Sequence, residues 1–93
     1  MDPARLNRIR FRAWRRGFVE ADLILGPFAD TVAPTLSEVE LDDLERLMDQ
    51  PDQDLYAWIV GTSPTPAAFE TGIMGRLKAF RFDARDARSD LGA

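Results

Sequence analysis

Runs of apolar residues recur at helical spacing along this chain, and each is bounded by a helix start or stop signal. No period-two alternation and no hairpin turn sequence interrupts them. That pattern points to an all-α fold. Asp2-Pro3 opens the first run with a capping residue and a proline at the first helical position, where its missing N–H is harmless. Leu6, Ile9 and Ala13 follow, with Phe11 and Trp14 to one side. Arg15-Arg16-Gly17 closes the helix: cations suit its negative end, and glycine suits a left-handed residue beyond it. Phe18, Ala21, Leu25, Phe28 and Val32 then fall at i, i+3, i+7, i+10 and i+14, a second stripe. Pro27 removes one backbone hydrogen bond and is expected to kink or split this helix.

Ala33-Pro34-Thr35 reads as a linker. Ser37 with Glu40 three residues on is a capping box, and Leu41, Leu44, Leu47 and Met48 form the buried stripe of a third helix. Pro51 to Asp54 ends it and starts a short fourth helix carrying Leu55, Trp58 and Ile59. Thr65-Pro66 repeats the cap-then-proline signal, so a fifth helix lined by Phe69, Ile73, Leu77 and Phe80 is expected to start there. The apolar pattern stops at Asp83. The expectation is a small five-helix bundle, all-α, with one domain over residues 1–82 and a frayed tail over 83–93.

Composition narrows the chemistry. The 93 residues include no histidine and no cysteine. That removes the commonest general base, thiol nucleophiles, disulfides and the usual transition-metal ligands. No Gly-rich dinucleotide fingerprint is present to cradle a pyrophosphate. The expectation is therefore a binding or assembly protein rather than an enzyme, with no metal and no stably bound cofactor. The eight acids between Glu38 and Asp54 lack the alternating oxygen ligands and central glycine of a calcium loop, and they read as helix caps and a solvated face. A carboxylate-based hydrolase would need a cleft that a chain this short hardly supplies.

The net charge of −4 conceals a strong segregation. Residues 1–16 carry six arginines against Asp2, whereas residues 17–70 carry twelve acids against Arg46. An arginine-rich helix with Phe11 and Trp14 nearby can serve nucleic acid, so a nucleic-acid-binding or regulatory helical module is the alternative reading. The net negative charge favours instead a basic face turned to the chain's own acids or to a protein partner.

The segment Arg15-Arg16-Gly17-Phe18-Val19-Glu20 supports two readings. One is a plain helix–helix junction. The other is a docking point, with Arg16 and Glu20 on opposite sides of a tight turn and both expected to face solvent. The guanidinium fork suits carboxylates and carbonyls on a partner.

Arg16-Gly17-x-x-Glu20 followed by Asp22, then Pro27-Phe28, then Asp52-x-Asp54-Leu55-x-x-Trp58, resembles the succinate dehydrogenase assembly factor family over roughly residues 7 to 80. The proline-rich loop Gly61 to Pro66 departs from the pattern. The resemblance implies an all-helical protein that binds the flavoprotein subunit of succinate dehydrogenase, or of the related fumarate reductase, and promotes covalent attachment of FAD. It implies that Arg16, Gly17 and Glu20 dock on that subunit, that Asp22 extends the surface, and that Arg8, Trp14 and Arg15 flank it. On that reading Arg16→Ala should abolish function and leave the fold intact. The flavin-linking histidine would belong to the partner, which agrees with its absence here. A monomer that binds neither nucleic acid nor membrane is expected.

No run approaches the ~20 apolar residues of a membrane span. An arginine-rich, acid-poor start is shared with mitochondrial presequences, but Trp14 to Gly17 reads as part of the fold. A mature intracellular chain is expected, in the cytoplasm of a bacterium or in the mitochondrial matrix.

Overall fold

In the computed structural model, residues 3–81 are described. Helix α1 spans Pro3–Trp14, α2 Val19–Thr31, α3 Glu38–Met48 and α4 Asp52–Val60, and α5 covers 72–81. One-turn 3-10 segments at Ala33–Thr35 and Ala67–Phe69 connect α2 to α3 and α4 to α5. No strand occurs among the described residues.

One core serves all five helices. Ile9 and Ala13 of α1 pack with Ala21, Leu25, Phe28 and Ala29 of α2. Leu41, Leu44 and Leu47 of α3, Leu55 and Ile59 of α4, and Ile73, Met74 and Leu77 of α5 complete it. The stripes read from spacing are therefore the buried faces. Phe28 meets Phe80 edge-on at 5.5 Å, tying α2 to α5.

The local signals act as their chemistry requires. Ser37 Oγ accepts the Glu40 N–H at 3.2 Å, and Glu40 Oε1 accepts the Ser37 N–H at 2.9 Å, the reciprocal pair of a capping box. Gly61 ends α4 with a left-handed φ of 86°. Pro27 does not split α2, which runs on to Thr31, where the hydroxyl donates to the Pro27 carbonyl at 2.8 Å.

One expected boundary is wrong. The fifth helix does not begin at Thr65-Pro66, which leads only into the 3-10 turn. Glu70, at φ −81° and ψ 74°, leaves the helical region, and Thr71 starts the helix by accepting the Met74 N–H on its hydroxyl at 3.2 Å. Phe69 is thereby moved off α5, and it stacks on Trp58 at 5.2 Å. The expected tail, 83–93, lies outside the described residues.

Candidate docking corner

Arg15 to Phe18 join α1 to α2 in four residues. Gly17 makes the turn possible with φ of 83°. A Cβ built on it would have open space around it, so the constraint is backbone conformation rather than room. Asp22, in the first turn of α2, accepts the Arg16 backbone N–H at 3.1 Å and fixes the turn from inside.

Arg16 does not face solvent. Its side chain is 7% exposed and spans the junction between α3 and α4. Nη1 donates to the Met48 carbonyl at 2.7 Å and Nη2 to the Gln50 carbonyl at 2.8 Å. Nε lies 2.7 Å from Asp52 Oδ1, a charge contact without the alignment of a hydrogen bond. The cause is general: the end of α3 leaves carbonyl oxygens without helical partners, and a planar fork can serve two of them while its charge meets a carboxylate. Arg16 is therefore a brace, which overturns the expectation that it faces solvent, and on this geometry Arg16→Ala is expected to weaken the fold. Glu20 is exposed, as expected.

The other arginines of the basic head mostly close on the chain's own acids. Arg5 meets Glu38 at 2.6 Å, Asp42 at 2.5 Å and Glu45 at 2.7 Å, three carboxylates along one face of α3. Those contacts, Glu45 foremost, raise its guanidinium above the usual arginine range. Arg12 pairs with Asp49 at 2.7 Å and Arg10 with Asp30 at 3.1 Å. Arg15 lies over the Phe11 ring, 4.4 Å from its centroid, and Arg8 makes no ion pair among the described residues.

Trp14 is 42% exposed. Its indole rests on α2 at Gly26, and Nε1 donates to Asp30 Oδ2 at 3.1 Å. The seven residues singled out in the sequence thus divide. Gly17, Glu20, Arg8, Arg15 and Trp14 are exposed, whereas Arg16 and Asp22 turn into the fold and fix the turn. A shallow cleft of about 400 Å³ opens beside the corner between Phe11, Arg15, Gln50 and Asp52.

Sequence reasoning missed Gly26, Asp30 and Asp52 as supports, and Val19 and Leu23 as apolar neighbours, 66% and 48% exposed. The available signal was modest: a glycine inside a helical stripe, where it is less favourable than alanine. Among the described residues no group of acids is arranged to hold a metal ion, and no helix is long and apolar enough to cross a membrane.

Residues 7–81 match the model of a family described as the flavinator of succinate dehydrogenase. The FAD assembly factor SdhE of Acetobacter pasteurianus is 36% identical over 74 residues, covering 80% of this chain and 68% of that protein. The mitochondrial succinate dehydrogenase assembly factor 2 of Danio rerio is 35% identical over 89 residues, covering 94% of this chain and 56% of that protein. Its counterpart in Dictyostelium discoideum is 36% identical over 68 residues, 73% of this chain and 48% of that protein. The chain spans about half the length of these two mitochondrial relatives.

Proposed function

The chain belongs to the family of succinate dehydrogenase flavinators, and from that premise we propose that it is an assembly factor, one that promotes FAD attachment to the flavoprotein subunit of succinate dehydrogenase. The observation that carries this reading is the family match over residues 7–81. The related fumarate reductase subunit is a second substrate of the same kind.

The docking surface is the outer side of the corner: Gly17 and Glu20, flanked by Arg8, Arg15 and Trp14. Gly17 brings backbone to the surface with nothing above it. Glu20 and the cations Arg8 and Arg15 offer fixed charges of both signs to a partner. Arg16 and Asp22 keep that geometry. Nucleic acid has no part in this reading, because Arg5, Arg10, Arg12 and Arg16 are already engaged by carboxylates of the same chain.

The protein acts by selecting a conformation rather than by chemistry of its own. It binds most tightly the arrangement of the flavoprotein in which flavin and acceptor side chain are aligned, so that state becomes more populated. It holds no cofactor stably and works as a monomer. It acts where the flavoprotein matures, in the bacterial cytoplasm or the mitochondrial matrix.

Deleting the gene tests the reading. The flavoprotein subunit should lose in-gel flavin fluorescence after denaturation, and the plasmid-borne gene should restore it. Undiminished fluorescence in the deletion strain would sink the proposal.

A further inference from the structure

Gly26 lies in the middle of α2, where glycine is less favourable than alanine. Its backbone does not require it, since Gly17 and Gly61 are the glycines with positive φ among the described residues. What requires it is space. A Cβ at Gly26 would fall under 3.0 Å from several ring atoms of the Trp14 indole, a separation that neither group can keep. The bare backbone of α2 is thus a seat for the last residue of α1. The ring is held there by the Trp14 Nε1 bond to Asp30, and Arg10 meets the other oxygen of the same carboxylate.

Trp14 is followed directly by Arg15, Arg16 and Gly17. The corner is consequently held from two sides, by the indole on α2 and by the Arg16 guanidinium on the α3–α4 junction. The Asp22 bond to the Arg16 N–H ties the turn itself, so the indole and the guanidinium set where it sits against the rest of the fold.

We infer that Gly26 and Asp30 are positioning residues for the docking corner, acting through the seated Trp14 indole rather than by touching the partner. The inference rests on the proposed function for what the corner docks, though not for the seat itself. Gly26 matters by what it lacks. A side chain there lifts the indole, tilts the end of α1 and moves Arg15, Gly17 and Glu20 relative to one another. Docking is sensitive to such shifts because a displacement of about 1 Å can reduce a rate by about two orders of magnitude.

The test compares Gly26→Leu, Trp14→Ala, the double variant of the two, and Leu77→Ala as a control that destabilises the distant core of α5. Each is assayed for covalent flavin on the flavoprotein subunit in the deletion strain, and for melting temperature as a purified protein. Gly26→Leu should slow flavinylation at least about tenfold more than Leu77→Ala does at equal loss of melting temperature. Trp14→Ala removes the indole anchor and should slow it to a similar extent, and the double variant should be no slower than Trp14→Ala, because the leucine then has no indole to displace. Gly26→Ala, a milder intrusion, serves if Gly26→Leu does not fold. Equal rates for Gly26→Leu and Leu77→Ala, or losses that simply add in the double variant, would overturn the inference.

Emission of Trp14 in a Trp58→Phe background reads the seat separately. It should move to the red in Gly26→Leu, and an unmoved spectrum would rule the seat out. Failure of the wild-type gene to restore flavin would count against the proposed function and the docking role, while the emission would still report on the seat.

Discussion

The Arg16 guanidinium and the Asp52 carboxylate meet at 2.7 Å, across the gap between α3 and α4, although Arg16 belongs to neither helix. The same side chain holds the Met48 and Gln50 carbonyls. A residue of the proposed docking motif is therefore also a joint of the fold. Its removal leaves a half-buried carboxylate and two carbonyl oxygens without partners. Arg16→Ala should lower the unfolding free energy by about 2–3 kcal/mol, less than a fully buried pair because Asp52 is 34% exposed. Arg16→Lys should recover only a minor part, since one ammonium cannot serve all three oxygens. Urea denaturation checks both, and an unchanged midpoint for Arg16→Ala would show that the brace carries no load.

Gly17 and Gly61 form a matched pair, with φ of 83° and 86° and no atom near an added Cβ at either site. Gly17→Ala and Gly61→Ala should each destabilise by about 1–2 kcal/mol through left-handed strain, and asparagine should be milder at both. Gly61 lies at the far end of α4, away from the corner. Flavinylation should therefore fall further for Gly17→Ala than for Gly61→Ala at the same stability. Equal losses would mean that Gly17 matters only to folding.

Acid should weaken the fold through two identifiable carboxyls. The Ser37 backbone N–H and hydroxyl hold Glu40 below the usual glutamate range, and Lys78, 3.1 Å away, does the same for Glu70. A depressed folded-state pKa stabilises at pH above the unfolded value, because the unfolded chain then gives up no advantage in protons. Both contributions should be present at neutral pH, start to fade as pH drops past 4.5, and be lost as it passes each folded-state value. Glu40→Gln should flatten the stability curve below that point. Ser37→Ala should cost about 1 kcal/mol at neutral pH. Denaturation midpoints measured across this range decide the matter.

Charge on the first helix is divided between structure and surface. Arg5 gathers Glu38, Asp42 and Glu45, so Arg5→Ala leaves three carboxylates facing one another on α3 and should lower the melting temperature, most strongly at low salt. Arg8 makes no ion pair among the described residues, so Arg8→Ala should leave stability within about 0.5 kcal/mol of wild type. Its effect should appear in the association rate with the flavoprotein subunit. Melting curves and binding kinetics at two ionic strengths separate the roles.

Helix content and core stripes were legible before the structure because they depend on neighbours. Spacing of three and four residues places Leu41, Leu44 and Leu47 on one face wherever the helix sits. The Ser37–Glu40 capping box closes within four residues. The start of α5 was misplaced because Thr65-Pro66 and Thr71 both offer starting signals within a few residues, and the stacking of Phe69 on Trp58 accompanies the later one.

The motif Arg16-Gly17-x-x-Glu20 was visible as letters, and the charge segregation as a count. Their division of labour was not. Arg5 finds partners 33 to 40 residues away, Arg16 finds carbonyls 32 and 34 residues away, and Trp14 lands on a glycine of the next helix. Local periodicity contains no such distances. They appear only when burial of the apolar stripes brings α1, α2 and the α3–α4 junction together. Packing then selects which cations turn inward to satisfy helix ends and which stay outside, where the proposed function has them meet a partner.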